Sequence, residues 1–278
     1  MALDAETFRF IARLVEQNTG IVLDAGKEYL VDTRLAPLLR REQIPTIADL
    51  ATRIRAGKAD NLVRAICEAM TTNETSFFRD VHPFEHLRLK VLPDLISRRQ
   101  TTKQLNFWCA ASSTGQESYS VLMLIREHFP QLADWKISFL ATDIATDVLA
   151  RAKAGRYSQV EINRGLPATM LVKYFRRDGL EWEIDPSLRK MMEFRELNLS
   201  GTWPLMPRAD IIFMRNVLIY FSTDMKKQIL AKARRNLRDD GYLFLGGAET
   251  TLNLDASFER VQGDKGGFYR PAMAKVAA

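Results

Sequence analysis

Cysteine and histidine are scarce. The 278 residues hold two cysteines and three histidines. Cys67 and Cys109 lie far apart, one in a helix-like and one in a strand-like apolar pattern. That excludes a disulfide framework and a thiolate metal cage, and it fits reduced core residues of a cytoplasmic protein. His82 and His86 stand four residues apart, but no cysteine or acid-bearing motif surrounds them, so no metal site is expected. No apolar run reaches membrane-spanning length, and no basic-then-apolar leader opens the sequence, so membrane insertion and secretion are not expected. Dense lysine/arginine runs interleaved with aromatics are also missing, which argues against nucleic acid as a partner. What charge there is amounts to +6, a mild excess suited to an acidic protein surface. A monomer is the default expectation.

Glycine is short at one telling place. Residues 105–119 read as a buried strand (Leu105, Phe107, Cys109), a turn of small residues and the start of a helix that carries Tyr119, Leu122, Met123 and Ile125 inward. A strand feeding such a turn reads either as an ordinary strand–turn–helix or as the nucleotide-binding corner of a doubly wound α/β sheet. A second strand, Trp135 to Asp143, ends in a carboxylate at the position that usually grips ribose hydroxyls. Yet Gly115 is the only glycine of the turn, which argues against a pyrophosphate pressed onto the loop. An adenosyl ligand without phosphates fits instead.

The rest of the chain divides in two. Residues 1–70 show helical spacing and no strand pattern, predicting an all-helical domain. Gly20 should stop its first helix and Thr46 should cap its third. Between Thr33 and Arg64, seven basic residues stand against three acidic ones. This face, with Arg53, Arg55 and Lys58, reads either as a solvated helix surface or as a dock for an acidic helix of another protein. Residues 71–278 read as the α/β domain. Residues 71–79 hold polar positions that either cap a helix or turn Asn73, Thr75 and Arg79 onto a ligand. A helix is expected over 144–160. Glu181–Asp185 alternates as a strand does, and Met191–Arg195 is expected to pair with it in a small antiparallel insert over roughly 165–196. Ile211–Met214 reads as a buried strand with Arg215 and Asn216 at its carboxyl end, where α/β sheets place their sites.

Taken together, these motifs resemble those of the chemotaxis receptor methyltransferase family, CheR. They are Asn73-x-Thr75-x-Phe77-Phe78-Arg79, Ser113-Thr114-Gly115-x-Glu117-x-Tyr119-Ser120, Ala141-x-Asp143, Asn198-Leu199 and, most specific, Arg215-Asn216-Val217-Leu218-Ile219-Tyr220-Phe221. The resemblance spans nearly the whole chain. It implies a Rossmann-like S-adenosylmethionine-dependent methyltransferase domain with a small antiparallel β insert, preceded by an all-helical receptor-docking domain. It implies methyl transfer to glutamate carboxylates of chemoreceptors. It implies cofactor contacts from Asn73, Thr75, Arg79, Glu117, Asp143, Asn198, Leu199, Arg215 and Asn216, with Tyr220 beside the transferred methyl. Arg98 or Arg99 is a candidate match to an active-site arginine of the family. The family often carries Glu-Glu-Pro after the glycine; here the residues are Gln116-Glu117-Ser118, which keeps the second acid. Some members grip a receptor-tail peptide on the β insert. The short Arg176–Gly179 loop implies that this chain does not depend on such a tether.

Three rival readings are weaker. A dinucleotide oxidoreductase fails on the single glycine of the turn. A nucleic-acid methyltransferase sits poorly with the acidic Glu181–Asp185 segment. A non-catalytic adaptor has no reason to keep the Arg215–Tyr220 segment.

Overall fold

The computed structural model describes residues 3–57, 59–263 and 267–272. Four helices open the chain: α1 (Ala5–Thr19), α2 (Glu28–Arg41), α3 (Ile47–Arg55) and α4 (Asp60–Met70). Asp4 caps α1 by accepting from the Glu6 and Thr7 N–H groups, and Thr46 caps α3 by accepting from Asp49 N–H. Phe8, Ile11, Val15, Val31, Leu35, Leu50, Ile66 and Met70 bury one shared core. Gly20 ends α1 at φ +76°, and a Cβ there would come within 2.9 Å of Ser200 Cβ. Glycine is needed twice over at that point, for the turn and for the close pass against the second domain.

The second domain begins with α5 (His82–His86), a π-turn over Leu87–Val91 and α6 (Leu92–Arg98). It continues through β1 (Gln104–Ala110), α7 (Gln116–His128), β2 (Lys136–Asp143), α8 (Thr146–Ala154), β3 (Arg156–Ser158), α9 (Gln159–Asn163), α10 (Ala168–Tyr174), β4 (Phe175–Asp178), β5 (Glu181–Ile184) and α11 (Pro186–Arg189). Then come β6 (Met192–Glu196), β7 (Ala209–Met214), α12 (Thr223–Asn236), β8 (Leu237–Leu245), β9 (Phe258–Gln262) and β10 (Gly267–Pro271). Seven strands form one sheet in the order β6-β2-β1-β7-β8-β10-β9. The first five are parallel, and β10 runs antiparallel to β8 and β9. Both faces are covered, so strand residues alternate between two cores rather than between core and water. Phe107, Ile211, Phe213 and Phe244 enter one core; Trp108, Ile212, Met214 and Leu243 enter the other. Since β1 neighbours both β2 and β7, the chain reverses its direction of travel across the sheet between β1 and β7. A crevice opens there at the carboxyl ends.

The insert differs from the expectation. Glu181–Ile184 is a strand, but its partners are Arg156–Ser158 and Phe175–Asp178, giving a separate antiparallel sheet β3-β5-β4. Met192–Glu196 instead runs parallel to Phe139–Asp143 as an edge of the main sheet. Both edges of β5 are already taken, and Phe194 packs against Tyr119 of α7. The helix expected to reach residue 160 stops at Gly155. There φ is +65°, and a Cβ would lie 2.6 Å from Ile184 Cγ2. Alternation specifies that a segment is a strand; it does not name the partner.

Arg98 and Arg99 lie at the opposite end of the sheet from the crevice. Arg98 pairs with Asp94 at 2.8 Å, and Arg99 bonds Asp210 at 3.0 Å and Asp240 at 2.7 and 2.8 Å. Asp210 opens β7, so these arginines anchor the amino ends of the strands, and neither lines the candidate site. Among the described residues, no helix is long and apolar enough to cross a membrane.

Candidate active site

The crevice is an open cleft, about 830 Å³ with the solvent space at its mouth included, lined by all nine residues named above as cofactor contacts and by Tyr220. Its floor is the turn after β1. Ala111, Ser113 and Gly115 all have left-handed backbone, at φ 56°, 49° and 91°. A Cβ on Gly115 would crowd Ala152 at 3.0 Å and Tyr119 at 3.2 Å. Tyr157 donates to the Thr114 carbonyl at 2.8 Å, and Ser112 N–H donates to the Thr142 carbonyl at 2.8 Å. The loop is therefore held from behind, which leaves its cleft side free of bulky side chains.

Asp143, at the tip of β2, accepts from Ser113 N–H at 2.8 Å and Ala145 N–H at 3.0 Å. One carboxylate oxygen serves each bond, so each keeps a lone pair for a ligand. Burial raises the Asp143 carboxyl above its ordinary range, and these backbone donors oppose the rise.

On the other wall, Arg215 is only 1% exposed at its side chain. It pairs with Glu117, bonds Asp80 at 2.6 Å and donates to the Arg79 carbonyl at 3.1 Å. Two carboxylates thus balance one buried cation. Glu117 also accepts from the Cys109 thiol at 3.3 Å, and burial, with Glu117 beside it, pushes that thiol's pKa well up. The pair keeps Cys109 a neutral donor. Arg215 Nε and Ser112 Oγ are buried with no hydrogen-bond partner.

The remaining contacts have distinct settings. Arg79 is half-buried, and among the described residues its side chain donates to the Glu74 carbonyl at 2.9 Å. Asn73 donates to Thr71 Oγ1 at 3.0 Å, and its carbonyl accepts from Ser113 Oγ at 2.8 Å. Thr75 lines the same wall. The Asn198 side chain is occupied by Ser200, whose N–H and hydroxyl donate to it, and by the Asn18 carbonyl at 2.6 Å. Leu199 is buried beside it. Asn216 has left-handed backbone at φ 57°. Tyr220 is half-buried, and its hydroxyl bonds no described residue.

Sequence reasoning missed two contributions. The first is Glu249, whose carboxylate accepts from the backbone of the loop after β7. The only signal was an acid closely following Gly246-Gly247 at the carboxyl end of a buried strand. The second is the helical domain itself. Thr19 and Ile21 line the cleft, Ile21 bridges to Phe221, and Val22 N–H donates to the Tyr220 carbonyl at 2.9 Å. Arg34 of α2 clamps the linker through the Met70 and Thr71 carbonyls and Thr72 Oγ1 at 2.6–2.9 Å. The expected docking residues sit elsewhere. Arg53 is exposed; Arg55 is exposed, lies 4.4 Å over the Phe10 ring and pairs with Glu6 at 3.5 Å. Lys58 lies outside the described residues.

The chain matches two family descriptions. Residues 6–71 match the CheR methyltransferase all-alpha domain, and residues 73–266 match the CheR methyltransferase SAM binding domain. It is 40% identical to chemotaxis protein methyltransferase 1 of Pseudomonas aeruginosa, over 96% of this chain and 97% of that protein. It is 39% identical to chemotaxis protein methyltransferase Cher2 of Pseudomonas putida, over 96% and 98%. Identity to a chemotaxis protein methyltransferase of Vibrio parahaemolyticus is 37%, over 97% and 98%. A helical domain set against a cleft at the β1–β7 reversal, with full-length similarity to these enzymes, assigns the chain: it belongs to the CheR family of S-adenosylmethionine-dependent chemotaxis methyltransferases.

Proposed function

We propose that this protein transfers a methyl group from S-adenosylmethionine to glutamate side chains of chemoreceptors, forming methyl esters. It acts in the cytoplasm, as a monomer. The observation that carries the reading is the convergence of Asp143, the Glu117–Arg215 pair and Tyr220 on one cleft. The donor set fits the cofactor: a buried carboxylate with spare lone pairs, an orphaned Ser112 hydroxyl and a turn without bulk.

When bound, S-adenosylmethionine supplies a methyl group on a positively charged sulfur. Asp143 accepts from the ribose hydroxyls. Glu117, oriented by Cys109 and Arg215, faces the ammonium group or the ribose. Arg215 is already balanced by Glu117 and Asp80, so the cofactor carboxylate falls to Arg79. Asn73, Thr75, Asn198, Leu199 and Asn216 close the walls. Tyr220 holds the incoming carboxylate with its unoccupied hydroxyl. No general base is needed, because a glutamate with a pKa of about 4.3 is ionised at neutral pH. The protein's task is alignment and exclusion of water, and alignment contributes up to about 7–11 kcal/mol.

The exposed Arg53 and Arg55, with the charge of Lys58 nearby in sequence, steer the acidic methylation helices of the receptor. No receptor-tail tether is required. The β4–β5 hairpin turns through Gly179 and Leu180 alone, which is consistent with a small peptide platform. Titration calorimetry with the free tail peptide should show no micromolar binding.

The deciding experiment is incubation with methyl-labelled S-adenosylmethionine and receptor-bearing membranes, followed by alkali. Glutamyl esters release labelled methanol; methylated amines and nucleobases do not. Base-labile label on the receptor supports the proposal. Cofactor binding without such label overturns it in favour of an adaptor or another substrate.

A further inference from the structure

The loop after β7 carries Arg215 and Asn216 at one end and Tyr220 at the other; between them Leu218 is buried in the core, and the backbone N–H groups turn to a separate anchor. Four consecutive backbone N–H groups, from Asn216 to Ile219, point at a single carboxylate. Glu249 Oε2 accepts from Asn216 at 2.8 Å, and Oε1 accepts from Val217 at 2.8 Å, Leu218 at 2.6 Å and Ile219 at 3.3 Å. Gly246 N–H adds a fifth donor at 2.6 Å. Successive N–H groups around a left-handed residue form a concave anion cradle, and Asn216 has φ 57°. Such cradles commonly take a free anion; here the anion is part of the chain.

The end of β8 is built to deliver it. Glu249 N–H donates to the Gly246 carbonyl at 2.9 Å, a tight turn that folds the acid back over the strand end. A Cβ at Gly246 would stand 2.8 Å from both Asn216 N and Glu249 Oε2, so only glycine lets the two loops approach this closely. Hydrogen bonds to an ionised acceptor are about twice as strong as neutral ones. Five of them on one side chain make it the main tie on a loop whose ends both face the cleft.

We infer that Glu249 is a positioning residue, which sets the Asn216–Tyr220 loop by filling an anion cradle made from the loop's own backbone. This rests on the proposed role of Tyr220 for its kinetic consequence, and on the geometry alone for its structural one. Glu249 does not line the cleft; it acts through the position of Asn216 and Tyr220.

The test uses E249A and E249Q in the full chain, with formate as a small carboxylate able to enter the vacated cradle. Amide hydrogen exchange is read over residues 216–219, and methyl transfer is read alongside. In E249A, exchange there should quicken at least tenfold and turnover should fall roughly 10- to 100-fold. Formate, compared with chloride at equal ionic strength, should restore a large part of both. E249Q keeps the shape but offers one acceptor oxygen in place of two, so it should lose turnover without rescue, and it serves if E249A does not fold. Wild-type exchange and turnover in both variants, or a loss in E249A that formate leaves unchanged, would overturn the inference. Absence of methyl transfer by the unaltered protein would instead count against the proposed function, because the exchange measurement stands without it.

Discussion

At the amino ends of β1 and β7, Arg99 divides its guanidinium between Asp210 and Asp240, and Asp210 accepts in addition from Asn106 N–H at 2.8 Å. At the carboxyl ends of the same strands, Arg215 divides its own between Glu117 and Asp80, yet its Nε and the Ser112 hydroxyl are buried without partners among the described residues. Both ends bury an arginine between two acids. Arg99 spends all three nitrogens on carboxylates, and that end stitches strands together. The other end leaves donors and acceptors facing a cleft, where their unmet capacity becomes available for a ligand. Charge burial by itself therefore does not mark a site, and neither does one unmet donor, since Arg238 Nε beside Asp210 is also buried without a hydrogen bond; several unmet groups lining one cleft do.

The comparison breaks most sharply at Asp210, whose side chain is fully buried. Asp210→Ala strips the Asn106 N–H and leaves Arg99 undercompensated, which should cost about 3–5 kcal/mol. Denaturant melts should show the loss, while the cofactor affinity of the folded fraction stays within threefold. Asp143→Asn should behave in the opposite way. Removing a charged acceptor of ligand hydrogen bonds should weaken cofactor binding by about 1.5–3 kcal/mol, roughly 10- to 150-fold, measured by calorimetry.

Asp143 also has a pH signature. Its carboxyl is raised by burial, so it favours the fold most below its unfolded value, and that contribution is lost as pH rises through the raised value. Cofactor binding needs the ionised form, so affinity should climb over the same interval. Opposite slopes in stability and affinity, both absent from Asp143→Asn, are the expected result. A smaller effect belongs to Tyr220→Phe. No described residue hydrogen-bonds its hydroxyl, so melting should not change and cofactor affinity should hold, while turnover drops about tenfold, less than the roughly 10²–10⁴-fold effect of a group that transfers a proton. Smallest is Arg53→Glu on the exposed face of α3, expected to slow receptor methylation two- to fivefold at low salt and to lose its effect at high salt. Arg53 is the cleaner choice there, because Arg55 also packs on Phe10.

Much of the site was legible because Asp143, Arg215 and Asn216 sit at strand ends, and strand ends are marked by composition. A buried run followed by Asp143, or by Arg215 and Asn216, declares where a polar side chain meets the crevice. The same logic was silent on Asp80, which pairs with Arg215 from a turn, and on Thr19, which lines the cleft from a helix end. Their sequence neighbourhoods carry no strand to point them. Arg98 and Arg99 show the reverse failure. A basic pair before the first strand is compatible with either end of the sheet, and only the position of Asp210 and Asp240 decides which.

Local chemistry determined the rest that the sequence could declare. Asp4 and Thr46 start helices, Gly20 ends one, and the period of the apolar residues separates the four opening helices from the strands that follow. Those signals act within a few residues, so they survive in a linear reading. The tertiary structure alone decided the partners: that Arg156–Ser158 flanks Glu181–Ile184, that Met192–Glu196 joins the main sheet, that Val22 reaches Tyr220 and that Glu249 fills the Asn216–Ile219 cradle. Each of these joins is made between distant segments and uses, on at least one side, backbone groups common to nearly every residue type. Backbone hydrogen bonds carry no sequence label, so which strand or loop receives them is settled only when the whole chain packs.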